Sequence, residues 1–181
     1  MSVTQIALLV LASVLLFWAV GAYNRLVNLR NEIARAFAPI DAQLRQRDAL
    51  LRQWIGGLRP VTGDTPQLPD AVEAACSQLI AACDVVRRRP AASPPMASLR
   101  LAETTLSEAR ARLDVECVQH AELLGTMGSA ILGDEIAAVD GTLAFARRQF
   151  NDSAQRYNAA VHQFPTWLLA RLFGFRGAGS F

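Results

Sequence analysis

Apolar residues follow two patterns along this chain, an uninterrupted run near the start and stripes with three-and-four spacing after it. The run, Val3 to Ala22, contains no charged residue. As a helix it is about 30 Å long at about 1.5 Å of rise per residue, which matches the hydrocarbon core of a bilayer. The run therefore predicts a membrane-spanning anchor in residues 1–23.

A cleaved secretory signal is the alternative interpretation of this run. The small residues Val20 to Ala22 suit a cleavage site, but Met1 to Gln5 carries no basic residue of the kind that opens a signal peptide. Arginines instead follow the run, at Arg25, Arg30 and Arg35. This asymmetry favours a retained anchor, with the arginine side in the cytoplasm.

After the anchor, stripes of helical spacing continue to Phe164, and no strand-like alternation occurs. The breaks between stripes are rich in glycine and proline, with the longest at Gly56 to Pro69. Pro39 predicts either a bend or a new helix starting near Ala38. The pattern predicts an all-α protein, an N-terminal transmembrane helix followed by an antiparallel up-down four-helix bundle in residues 24–164. The four predicted helices are 24–55, 71–89, 98–124 and 134–164.

An even number of helices returns the chain to the membrane from which it left. The residues beyond the fourth helix, 165–181, form an apolar and amphipathic tail. One interpretation is an interfacial segment with Trp167, Leu168, Leu172 and Phe173 at the headgroup boundary. The other is that this segment folds back and packs on the bundle. The second helix also ends on this side, at Arg87 to Arg89, but it is shorter than the first, and no membrane contact is predicted for it.

Two pairs in the first helix, Asp41 with Arg45 and Asp48 with Arg52, place an acid four residues before a base. Such pairs stabilise a helix by a few tenths of a kcal/mol. They predict a solvated face, next to a turn where Arg47 and Asp48 interrupt the apolar stripe.

Composition excludes most chemistry. The net charge is +2, and all 18 basic residues are arginine, with no face that interleaves basic and aromatic side chains, so no nucleic-acid partner is predicted. Cys76 and Cys83 would be about 10 Å apart on one helix, too far for a disulfide, so buried free thiols are expected. Cys117 and His120 have ligand spacing but no second pair to complete a zinc site. No catalytic, cofactor-binding or metal site is predicted, and the chain is not expected to be an enzyme.

Both ends of the body carry residue groups that resemble the LemA family. At the start these are Tyr23-Asn24-Arg25-Leu26-Val27, Arg30-Asn31, Ile40-Asp41 and Gln43 to Asp48; at the close they are Ala146-Arg147, Phe150-Asn151-Asp152, Tyr157-Asn158, Phe164-Pro165 and Leu172 to Phe175. Residues 54–135 show no motif of the family. The resemblance implies a single-pass protein of the bacterial cytoplasmic (inner) membrane, with the N-terminus outside, an α-helical bundle in the cytoplasm and no established catalytic activity.

One short pattern, Tyr-Asn-x-x-Val, occurs at Tyr23 to Val27 and again at Tyr157 to Val161. In an up-down bundle both copies lie near the membrane. Our hypothesis is that Tyr23, Asn24, Tyr157 and Asn158 form a polar seam there, with the two asparagines bonded across helices one and four. Chance recurrence is the alternative.

These observations predict a membrane-tethered, non-catalytic scaffold that presents its bundle to a protein partner or to a second copy of itself. The alternative is a lipid-surface sensor in which the 167–175 segment responds to the membrane. Membrane lipid is an expected partner in either case, and no small-molecule substrate is predicted.

Overall fold

The computed structural model describes residues 2–59, 67–119 and 127–181, without the side chains of 119 and 127–130. All regular structure in these residues is helical, which confirms the predicted all-α class. The five helices are α1 (Val3–Leu58), α2 (Gln67–Arg88), α3 (Ser93–Gln119), α4 (Met127–His162) and α5 (Thr166–Leu172).

Helix α1 is one continuous helix that contains both the apolar run and the first helix of the bundle. Its most apolar 18-residue window has a mean hydropathy of 2.4 and is 6% buried, so by length and composition it is able to cross a membrane. The first buried core residue is Leu26. Pro39 lies inside α1 with its side chain exposed, and no new helix starts near Ala38.

Neighbouring helices run antiparallel. Early residues of α1 meet late residues of α4, and later residues of α1 meet earlier ones: Phe37 packs edge-on against Phe150 with ring centroids 6.1 Å apart, and Arg47 lies 3.1 Å from Asp140. The same order holds for the other pairs, as shown by the contacts of Arg45 with Asp84, Arg59 with Asp70, Arg147 with Glu103, and Arg110 with Asp140. The predicted up-down arrangement is therefore observed.

Helix bounds differ from the predicted ones because burial overrides local propensity. Two glycines cost a helix about 1 kcal/mol each, yet α1 passes through Gly56 and Gly57 to Leu58, which is only 2% exposed. Helix α3 begins at Ser93, since prolines are tolerated in a first turn and Met96 is fully buried. Residues 60–66, within the predicted loop, and 120–126, where the third helix was predicted to end, lie outside the described residues.

Candidate membrane-facing site

An aromatic cluster marks the place where the apolar run meets the bundle. The ring of Tyr23 lies 5.1 Å from the ring of Phe173 and 5.7 Å from that of Phe175, both edge-on. This contact joins α1 to the segment that follows α5. The fourth helix therefore returns the chain to the level at which the apolar run ends, as the helix count predicted.

Helix α5 is short and two-sided. Thr166 and Ala170 are buried against the bundle. The large apolar residues on its other side are exposed: Trp167 by 40%, Leu168 by 53%, Leu172 by 77% and Phe173, just after the helix, by 56%. The two interpretations of this segment each describe one of its faces, because Thr166 and Ala170 pack on the bundle, whereas Trp167, Leu168 and Leu172 are exposed.

Beyond α5 the chain runs back along α4 as an extended segment, residues 176–181, which we call the return segment. Asn158 donates from Nδ2 to the carbonyl of Ala178 at 3.0 Å, and its Oδ1 accepts from the amide of Ala178 at 2.7 Å. Asn151 makes the same pair of bonds with Phe181, at 2.9 and 2.8 Å. Asn151 and Asn158 lie two turns apart on α4, and their partners Phe181 and Ala178 lie three residues apart in an extended chain. The two sets of hydrogen bonds form together because both spacings are about 10 Å.

Other contacts fix the return segment in the same register. The hydroxyl of Tyr157 donates to the carbonyl of Arg176 at 3.0 Å, and the guanidinium of Arg147 lies 4.5 Å from the ring centroid of Phe181. At Gly179 a β-carbon would lie 3.0 Å from Cβ of Met96. A side chain there would push the segment away from α3, so the close approach requires glycine.

The predicted bond between Asn24 and Asn158 is wrong. The amide of Asn158 is paired with Ala178, while Asn24 is exposed. Tyr157 is 1% exposed, and burial raises the pKa of its phenol. The second copy of the Tyr-Asn pattern therefore holds the return segment and does not form a polar seam with the first. An interfacial position for Tyr23, Trp167, Leu168, Leu172 and Phe173 stays a prediction.

A buried ionic cluster lies deeper in the bundle, and sequence reasoning missed it. The side chain of Arg47 is 8% exposed and contacts Glu103 of α3 at 2.7 Å and Asp140 of α4 at 3.1 Å. Arg147 also contacts Glu103, and Arg110 contacts Asp140. The pKa of Arg47 is raised, because these carboxylates outweigh the burial that would lower it. The available signal was an arginine at a core position of the stripe, between Leu44 and Leu51.

The two predicted pairs of α1 form, with Arg45 Nε 3.0 Å from Asp41 and Arg52 Nε 3.0 Å from Asp48. The face predicted to be solvated is so only at its arginines, since the side chains of Arg45 and Arg52 are 39% and 37% exposed. Asp41 and Asp48 are less than 20% exposed, and both arginines continue to partners on α2. These partners are Asp84 for Arg45, and Glu73 and Ser77 for Arg52.

The three cysteines are free thiols. Burial raises the pKa of both Cys76 and Cys83 to about 12, and Cys83 donates to Asp41 at 3.1 Å. Both therefore stay protonated at neutral pH, which is the state of an unreactive core residue. Cys117 is half-buried. His120, its predicted neighbour at ligand spacing, lies outside the described residues.

Comparison with protein-family models matches the LemA family over residues 36–181. The matched range includes 54–135, where no family motif was apparent, and excludes the first Tyr-Asn pattern. No curated protein matches the chain.

Proposed function

The chain belongs to the LemA family, and from this premise we propose that it is a membrane-anchored, non-catalytic scaffold that presents its helical bundle to a protein partner. The observation that supports anchoring best is the continuity of α1. The same helix carries an exposed, uncharged apolar run and then supplies core residues from Leu26 onward. No flexible joint separates the two parts, so insertion of the run in a bilayer sets the position of the bundle.

Exposed apolar residues on the body support the partner-binding role. Leu101, Val115 and Val118 of α3 are 65%, 60% and 75% exposed. Large apolar side chains in water favour association with a protein surface when they lie close together. Val115 and Val118 are neighbours on the helix surface because they are three residues apart.

The anchoring proposal is tested on the full chain in native membranes. We expect the protein to remain in the membrane after alkaline carbonate extraction and to retain residues before Tyr23 by mass spectrometry. Replacing Leu11 and Leu15 with arginine should release it, because each charge at the centre of a spanning helix costs about 3 kcal/mol. A mature protein that begins at Tyr23 would contradict the proposal.

Partner binding is tested by crosslinking in the same membranes. Replacing Val115 and Val118 with glutamine should remove a crosslinked species that the wild type forms. The matched control is Val85→Gln, at an exposed valine of α2, which should leave the crosslinked species unchanged. A crosslinking pattern that neither replacement alters would count against α3 as the docking surface.

The second candidate, a lipid-surface sensor, is favoured by the exposed face of α5. Its position beside Tyr23 supports a location at the headgroup boundary, where Trp167 and Leu168 would enter the bilayer. A chain of residues 23–181 should then float with liposomes, and replacing Trp167 and Leu172 with serine should abolish flotation. The control is serine at Val85 and Leu101, which are 53% and 65% exposed and lie away from α5. Flotation that survives the first pair, or that the control pair also removes, would contradict the sensor.

A further inference from the structure

Four arginines from three parts of the chain line one cleft beside the return segment. Arg30 comes from α1, Arg88 and Arg89 from the end of α2 and the turn after it, and Arg176 from the return segment. The cleft has a volume of about 710 Å³, within the range of small-molecule sites. Its remaining described lining contains no aspartate or glutamate.

The four cleft arginines have no carboxylate of the described residues at ion-pair distance, unlike eight other arginines of the bundle. Arg45, Arg47, Arg52, Arg59, Arg87, Arg110, Arg147 and Arg156 each lie within 4.0 Å of a carboxylate. Among the residues that the structure describes, none of the four cleft arginines has such an ion pair. Four like charges around one concave surface repel one another, and a bound anion relieves this repulsion.

The chemistry of the lining selects the kind of anion. A guanidinium presents a planar set of donors that matches the oxygens of a phosphate, and several arginines together favour a group with more than one negative charge. Tyr157 forms part of the wall, and its hydroxyl is already bonded to the carbonyl of Arg176. Helix α3 begins at the cleft with Ser93, Pro94 and Pro95. Proline has no amide hydrogen, so Pro94 and Pro95 offer a ligand no backbone donor.

We propose that this cleft binds a phosphate monoester or diphosphate group. The site goes beyond the scaffold role and does not depend on anchoring, because all of its residues belong to the body from Arg30 onward. Two sources supply this chemistry, an anionic lipid headgroup and a soluble phosphorylated molecule. Arg30 follows Ala22 by eight residues, about 12 Å of helix. If the hydrocarbon core ends at Ala22, this distance places Arg30 just beyond the lipid headgroups.

The first measurement uses the full chain in uncharged detergent micelles with inorganic pyrophosphate as the probe. We expect saturable binding by calorimetry. The double replacement Arg30→Gln with Arg89→Gln should weaken it at least about tenfold, since the loss of one charge-assisted hydrogen bond already costs about that factor. The matched control is Arg25→Gln with Arg35→Gln, which removes the same charge from exposed positions of α1 outside the cleft. The control should change the affinity less than about twofold.

The outcomes separate a built site from general electrostatics. Arg25 and Arg35 lie five residues on either side of Arg30, so binding to a diffuse positive field would make the control about as damaging as the cleft variant. Equal losses in the two variants, no loss in the cleft variant, or no pyrophosphate binding by the wild type would each overturn the proposal. All four replaced arginines are exposed and glutamine is a good helix former, so both variants should retain wild-type circular dichroism.

The second measurement identifies the source of the phosphate. The full chain is placed in phosphatidylcholine nanodiscs with and without phosphatidic acid, and pyrophosphate affinity is compared. A weaker apparent affinity in the presence of phosphatidic acid, absent from the cleft variant, assigns the site to a lipid headgroup. An unchanged affinity assigns it to a soluble ligand. A chain that binds pyrophosphate in micelles but does not enter nanodiscs would disprove the anchoring proposal and leave the site intact.

Discussion

Asn151 and Asn158 each satisfy both backbone groups of one residue in the return segment. An asparagine side chain has the donor and the acceptor of a peptide unit, so it replaces the strand that would otherwise pair with an extended chain. The LemA-like groups Phe150-Asn151-Asp152 and Tyr157-Asn158 identified these positions in the sequence. Their partners were not predictable, because Ala178 and Phe181 contribute only backbone groups to these bonds, and every residue type carries a backbone carbonyl.

Replacing Asn158 with alanine should release the return segment locally. The amide and carbonyl of Ala178 lose their partners, at a cost of about 1–3 kcal/mol where they stay buried. We expect amide hydrogen exchange in 176–181 to accelerate by about tenfold or more, while the middle of α4 stays protected.

Asn24→Ala is the control for this change, because the side chain of Asn24 is exposed. It should leave exchange in 176–181 unaltered. A double replacement whose effect departs from the sum of the single ones would revive the bond between the two asparagines that the structure contradicts.

At the scale of helices, the ionic cluster around Arg47 connects α1 with α3 and α4 where an apolar stripe is interrupted. In the apolar pattern such a residue is an interruption. The pattern shows which positions face inward but does not identify the charged side chains of other helices that lie beside them. Glu103 and Asp140 lie next to the buried residues Ala102 and Val139. Their pairing with Arg47 depends on the rotation of three helices, which no single stripe specifies.

Replacing Arg47 with methionine keeps an unbranched apolar stem and removes the charged guanidinium. The two carboxylates retain Arg147 and Arg110, so the loss should lie below the 3–5 kcal/mol typical of a fully buried pair. We expect the free energy of unfolding to fall by about 1–3 kcal/mol in urea denaturation.

The matched change Arg35→Met, at an exposed position of the same helix, should stay within about 0.5 kcal/mol of the wild type. An Arg47 variant as stable as the wild type would mean that the cluster makes no net contribution to stability and that a methionine fills its place equally well.

At the scale of the whole molecule, the bundle begins where the apolar run ends. Residues before Leu26 add no side chain to the described core, and the ring of Tyr23 contacts Phe173 and Phe175 near the end of the chain. Because α1 is continuous, the position of the run determines which end of the bundle faces a membrane. The exposed face of α5 and the four-arginine cleft both lie toward that end.

A chain of residues 23–181 should therefore fold without the apolar run. We expect a helical, monodisperse protein whose cooperative thermal unfolding midpoint is within a few degrees of that of the full chain in detergent. Deletion through Leu29, which also removes the buried Leu26, should lower the midpoint, because burial of a leucine contributes about 2 kcal/mol. A 23–181 chain without cooperative unfolding would show that the run is part of the folding unit.

Periodicity and breakers in the sequence were sufficient to determine the helical class, the number of long helices and their alternating direction. These features follow from local geometry, since a stripe every three or four residues buries one face and a short connection reverses the chain. The apolar run was likewise identifiable from the sequence, because length and the absence of charge are properties of a linear segment.

Only the tertiary structure decided what the polar residues do. Arg47 is buried, Asp41 and Asp48 bond to Cys83 and Cys76 of α2, Asn158 bonds to Ala178 instead of Asn24, and four arginines from three parts of the chain line one cleft. The physical reason is that burial of apolar area depends on a pattern within one helix, whereas a hydrogen bond or an ion pair needs its partner within about 3 Å. That distance is determined by how separate helices rotate and stack.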